Sequence, residues 1–176
     1  YKDYNLQEGL VKYYSKLMKL LNIYVKGFRN KRLLDIGCGE GFIIKRILED
    51  KENIPDYILG IDFSSGMIDY CLSNIAIENK VEFNLKNALV PISYSEEKFD
   101  FVYSNFNILV CCNNYENLLR YCENFFVNMK EGGKGLIITS RLEDSSLITD
   151  DKIKEEKLNS LIEGMSYDHP FGPINN

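Results

Sequence analysis

The segment Leu33-Leu34-Asp35-Ile36-Gly37-Cys38-Gly39-Glu40-Gly41 is an apolar run carrying one carboxylate, followed by three glycines at alternate positions and a helical pattern from Phe42. Side chains at such glycines would block a ligand, and the turn needs backbone angles that glycine adopts at least cost. The helix behind the turn leaves its first amides without intrahelical partners, so the loop can offer N–H groups to a bound molecule. The spacing is D-x-G-x-G-x-G. It differs from the G-x-G-x-x-G pattern that fits a dinucleotide pyrophosphate, because the glycine after Gly39 comes at Gly41. A second acid, Asp62, closes the run Leu59-Gly60-Ile61 and precedes Phe63-Ser64. A carboxylate at that place can accept both hydroxyls of a ribose, a contact open to any adenosine-containing cofactor.

These residues need strands and helices to hold them. Leu10, Tyr13, Tyr14, Leu17, Met18, Leu21, Tyr24 and Val25 recur at helical spacing opposite Lys12, Lys16, Lys19 and Asn22, which predicts an amphipathic helix over residues 7–26 closed by Gly27. Residues 32–36 read as a strand, 42–50 as a helix, and 57–61 as a second strand ending at Asp62. Ser64 or Ser65 can cap the next helix, which carries Met67, Ile68, Cys71, Leu72 and Ile75. Strands are predicted over 81–85 and 99–104, a helix over 115–129, and a fifth strand over 134–139 after the turn at Gly132 and Gly133.

This alternation predicts an α/β fold, a Rossmann-like doubly wound parallel sheet with right-handed crossovers and strand order 3-2-1-4-5. Ligands bind such sheets outside the carboxyl ends of the strands, where the winding reverses between strands 1 and 4. The chemistry is therefore expected at residues 37–41, 62–67, 86–88 and 104–111. A single domain over 1–176 is expected, with an N-terminal helix over 1–28, a core over 29–140, and a C-terminal helix with an irregular tail over 141–176.

The 176 residues, 45% hydrophobic and 27% charged, suit one globular domain with a substantial core. A net charge of -5 opposes a broad footprint for nucleic acid or anionic lipid and favours small-molecule partners. Five cysteines without metal-ligand spacing, two of them the vicinal pair Cys111 and Cys112, predict free thiols in a reducing, cytoplasmic setting and no metal site. No apolar run reaches the roughly 20 residues of a membrane helix, and the first residues lack a signal-peptide pattern. The chain begins at Tyr1, so the natural protein is expected to extend beyond this sequence.

The glycine segment resembles motif I of class I S-adenosylmethionine-dependent methyltransferases, whose glycine loop passes beside the amino acid and ribose parts of the cofactor. Two later stretches resemble the same family. Phe99-Asp100-Phe101-Val102-Tyr103-Ser104-Asn105 is similar to its fourth strand. Met129-Lys130-Glu131-Gly132-Gly133-Lys134-Gly135-Leu136-Ile137-Ile138 is similar to the turn and fifth strand, with Glu131 where proline is usual. The matches span about residues 30–140 in the expected order. The resemblance implies binding of S-adenosyl-L-methionine, with S-adenosyl-L-homocysteine as product. It implies that Gly37, Cys38, Gly39 and Gly41 line the cofactor, that Asp35 helps hold its methionyl end, and that Asp62 holds its ribose. Phe63 and Met67 would wall the adenine. Asn87 stands where the family often has an acid; its carbonyl can accept from the adenine amino group, and the Ala88 amide can donate to a ring nitrogen. Ser104 and Asn105 would lie near the sulfonium and the acceptor, and Tyr4 would close over the cofactor. The F-D-x-V pattern followed by an Asn-rich loop is most similar to small-molecule methyltransferases, including N-methylating ones.

Methyl transfer from a sulfonium needs alignment more than acid–base help, and no catalytic side chain is assigned. His169, in the irregular Asp168-His169-Pro170-Phe171 tail, reads as structural or exposed, and Cys38 reads as packing. Family members normally end in a hairpin of strands 6 and 7. Nothing after Thr139 reads as that pair, and the expectation is that a segment is missing. The expected function is methyl transfer to an N or O nucleophile of a small molecule. The alternative is a non-catalytic methyltransferase-like module that binds cofactor or protein. The glycine spacing disfavours a nicotinamide-dependent oxidoreductase, and Ser104-Asn105-Phe106-Asn107 is not the N-P-P-Y-type tetrapeptide of nucleic-acid N-methylation.

Overall fold

The apolar runs read from the sequence pair side by side as parallel strands. The structure, a computed structural model, describes residues 15–19, 21, 27–75, 80–92, 97–105, 112 and 114–138. Strands β1 (Arg32–Ile36), β2 (Tyr57–Asp62), β3 (Val81–Leu85), β4 (Phe99–Ser104) and β5 (Met129–Ile137) form one sheet in the order β3-β2-β1-β4-β5. Every pairing is parallel. Central β1, β2 and β4 are buried along nearly their whole length, as continuous apolar runs covered on both faces must be. Asp35 interrupts β1 and lies opposite Gly60 on one side and Tyr103 on the other.

Helices α1 (Phe42–Glu49), α2 (Ser65–Asn74) and α3 (Tyr115–Val127) cover the sheet. One face packs Leu33, Ile58, Phe101 and Tyr103 against Ile43, Ile44 and Ile47 of α1 and Ile68 and Cys71 of α2. Residues 15–19 and 21 are helical, and Leu17 and Leu21 join this core. The other face packs Leu34, Ile36, Leu59, Ile61 and Val102 against Tyr121 and Phe125 of α3. Each fully buried aliphatic side chain contributes about 1.5–3 kcal/mol. The split into α1 and α2 on one face and α3 on the other is the double winding, with its reversal between β1 and β4.

The structure shifts three element boundaries or caps from their predicted places. Helix α3 ends at Val127 instead of 129, because Met129 already pairs with Phe99. Gly132 and Gly133 form a bulge inside β5 and not a turn before it, and the register resumes at Phe101 opposite Lys134. Ser64 sits at the N-cap of α2 without a side-chain capping bond. The Asp62 carboxylate takes the Ser64 amide instead, at 2.9 Å. The rest of the helix predicted over 7–26, the C-terminal helix and tail expected over 141–176 and the question of strands 6 and 7 lie outside the described residues.

Candidate functional site

The glycine loop leaves β1 at Ile36 and is pinned at once to the end of β2. The amides of Gly37 and Cys38 both donate to the Ile61 carbonyl, at 2.8 and 2.9 Å, and Gly41 N–H closes a turn onto the Cys38 carbonyl at 2.8 Å. Asp62 then ties three segments together. Its Oδ2 accepts from Gly39 N–H at 2.9 Å, its Oδ1 from Ser64 N–H at 2.9 Å, and its carbonyl from Lys86 N–H at 2.8 Å. Two carboxylate oxygens have about four acceptor sites, so each oxygen retains capacity for a further donor.

Two of the glycines serve different ends. Gly41, at φ +66°, is the left-handed entry to α1; a Cβ there would stand 2.4 Å from Ile75 Cδ1 and 3.1 Å from Cys71 Sγ. Gly39 is also left-handed, at φ +51°, but among the described residues a Cβ there would meet nothing within 4 Å. Gly41 is therefore glycine for packing. Gly39 presents bare backbone to open space beside Asp62, which is the surface a ligand needs.

Asp35 is 2% exposed, and the Tyr103 hydroxyl donates to its Oδ2. Burial pushes its carboxyl up to about 8; the Tyr103 hydrogen bond opposes the rise and the nearby Asp62 carboxylate adds to it. Cys38 and Cys71 both point at the Gly39 carbonyl, with Sγ–O distances of 3.8 and 3.2 Å. The Cys38 thiol is pushed up by its hydrogen bond with Cys71 and by burial, so it is no thiolate nucleophile. Neither Tyr103 nor Cys71 was singled out from the sequence. The signal for Tyr103 was Asp35 itself: a carboxylate inside an apolar central strand requires a polar partner from a neighbouring strand.

The other predicted residues spread around this centre. Phe63 is exposed and Met67 half-buried at the start of α2. Asn87 Oδ1 accepts from Leu89 N–H at 2.9 Å, so the oxygen expected to face an adenine amino group already holds a turn. The Ala88 carbonyl accepts from Asn124 Nδ2 at 2.8 Å, which fastens this loop to α3. Ser104 and Asn105 are buried at the end of β4. Tyr4, residues 106–111 and His169 lie outside the described residues. A polar groove lined by Arg29, Lys51, Glu52, Asp56 and Lys80 lies before the first residues of β1, β2 and β3, at the opposite end of the sheet from Gly39 and Asp62.

The methyltransferase-domain family profile matches residues 28–170, and the chain belongs to that family, whose members of this fold are class I S-adenosylmethionine-dependent methyltransferases. Its fold is similar to that of DesVI from Streptomyces venezuelae, with 18% identity and a TM-score of 0.57 over 74% of this chain and 51% of that one. It is similar to CalS10 from Micromonospora echinaspora, an amino pentose methyltransferase solved with S-adenosylmethionine bound, with 15% identity and a TM-score of 0.58 over 73% of this chain and 50% of that one. The [4+2]-cyclase SpnF shares the fold at 24% identity and a TM-score of 0.54, over 67% of this chain and 42% of that one. The chain thus spans about half the length of these structures. No curated protein matches the sequence. No described helix is long and apolar enough to cross a membrane.

Proposed function

We propose that this chain binds S-adenosylmethionine at the Gly39–Asp62 junction and transfers its methyl group to a nitrogen or oxygen of a small molecule in the cytoplasm. The observation that carries the reading is the open face of Gly39 beside a carboxylate that keeps acceptor capacity. The residues present suit the cofactor. Asp62 would hold the ribose hydroxyls, Asp35 the methionyl end, and Gly37, Cys38, Gly39 and Gly41 the loop beside them. Phe63 and Met67 would flank the adenine, with Asn87 and Ala88 at its edge. Ser104, Asn105 and Tyr4 would border the reacting end. Residues 29–140 would form the cofactor-binding core of a single domain.

When bound, the cofactor supplies a methyl group already activated on a sulfonium, open to direct displacement by the acceptor. The chain's part is to fix the loop, exclude water and align the acceptor. The three hydrogen bonds to Asp62 and the two to the Ile61 carbonyl hold that loop geometry. No base is assigned.

SpnF, named as a cyclase, carries the same fold, so binding and transfer need separate tests. Calorimetry with S-adenosylmethionine and S-adenosylhomocysteine is expected to give saturable binding of both. No binding of either would sink the proposal. Methyl transfer from labelled cofactor to a panel of amino sugars and phenols then separates a transferase from a binding module, since binding without transfer to any acceptor supports the module.

A further inference from the structure

Asp35 and Tyr103 lie 68 residues apart in sequence and side by side in the sheet, in register across β1 and β4. Both are almost fully buried, and the Tyr103 ring stacks on Phe101 with centroids 6.2 Å apart, which fixes where its hydroxyl points. That hydroxyl engages Oδ2 of Asp35; among the described residues no ion pair or further hydrogen bond reaches the carboxyl. Among the described residues, the titratable groups that act on Asp35 are Tyr103 from β4, Asp62 from β2, Cys38 from the loop and Cys71 from α2, with Tyr121 of α3 acting more weakly from the other face of the sheet. None of them is a cation.

We propose that Tyr103 is a positioning residue for cofactor capture: by donating to one oxygen of Asp35 it leaves the other to accept from the α-ammonium group of S-adenosylmethionine, and Asp35 releases its proton as that cation binds. The inference rests on the reading of this site as a place for that cofactor. In the balance, the carboxylic acid of Asp35 becomes a carboxylate paired with the ammonium, and one proton passes to the buffer. The raised pKa of about 8 supports the step, since at neutral pH burial holds Asp35 largely protonated, and an adjacent cation favours the ionised form. The Tyr103 hydrogen bond favours ionisation too, so its loss makes the proton harder to release.

The test is calorimetry of S-adenosylmethionine binding to the whole chain at pH 7 in buffers of different ionisation enthalpy. About one proton is expected to be released per site, fading above about pH 9, with affinity rising between. The probe 5′-methylthioadenosine, which lacks the ammonium group, is expected to bind without that release. Tyr103→Phe is expected to weaken binding several-fold at pH 7 and to move the pH profile upward, whereas Asp35→Asn removes the pH dependence. The free protein provides a second readout. Its Asp35 carboxyl is raised from 3.8 to about 8 on folding, so the folded state holds a proton that the unfolded chain lacks in that window, and stability falls as pH rises through it. Asp35→Asn is therefore expected to raise the melting temperature at pH 8 and not at pH 4. Binding without proton release, with an unmoved Tyr103→Phe profile, overturns the proposal and leaves the cofactor reading standing. No binding to the wild-type chain overturns both.

Discussion

At the amino ends of β1 and β4, Asp100 accepts the Arg32 amide at 2.8 Å and the Lys130 ammonium at 3.0 Å, whereas at the carboxyl ends Asp35 and Asp62 meet a hydroxyl and backbone amides. The first end is closed in charge. The Arg32 guanidinium pairs with Glu97 at 3.0 Å and lies 4.4 Å from the centroid of the Tyr57 ring. Burial alone would raise Asp100, but the Arg32 amide and the Lys130 ammonium outweigh it and hold its carboxyl below the usual range. Asp35 moves the other way, because burial outweighs the Tyr103 hydrogen bond and, among the described residues, no cation lies beside it to offset that burial. Two acids kept close together with no cation beside them among the described residues cost the fold stability, and such a cost concentrates where a ligand supplies a positive charge. The sulfonium and ammonium of S-adenosylmethionine would supply it.

The contrast can be broken most forcefully in the glycine loop. Gly41→Val drives a side chain into Ile75 and Cys71 from a left-handed backbone, and is expected to cost about 3 kcal/mol or more in urea unfolding. Gly39→Val carries only the backbone penalty, about 1–2 kcal/mol, and is expected to abolish cofactor binding in a folded protein. Equal losses of stability in the two variants would erase the distinction between a packing glycine and a ligand-facing one. Asp62→Ala frees the Gly39 and Ser64 amides and is expected to weaken cofactor binding by about 1–3 kcal/mol. Unchanged affinity by calorimetry would remove Asp62 from the site. The smallest effect belongs to the other end. Lys130→Ala removes a partly exposed, solvent-screened pair, so a loss below about 1 kcal/mol is expected, with binding untouched. Asp100 has a lowered carboxyl, so its contribution is present at neutral pH and is lost as pH falls through the acid range. A Lys130→Ala variant that bound cofactor poorly would show that the two ends are not independent.

Much of this arrangement was legible in order along the chain. Apolar runs alternating with helical periods gave the parallel sheet and its strand order, and three alternating glycines after Asp35 marked the end of β1 as the ligand side. The boundaries at Met129 and Gly132 were misplaced because a bulge and a turn draw on the same glycine-rich residues, and pairing with β4 decides between them. Asn87 was read as an acceptor for the adenine; its oxygen accepts the Leu89 amide, a local bond, and keeps a second lone pair for a further donor.

The sequence by itself determined that a glycine loop follows a strand bearing one acid and that a second acid closes the next strand, because strand and helix periods are local properties. Only the tertiary structure decided what those residues meet. Register across β1 and β4 put Tyr103 on Asp35, and the packing of α2 against the loop made Gly41 a contact and left Gly39 open. Those are meetings of distant segments, and no local pattern encodes which oxygen a hydroxyl will reach or which glycine a neighbouring helix will cover.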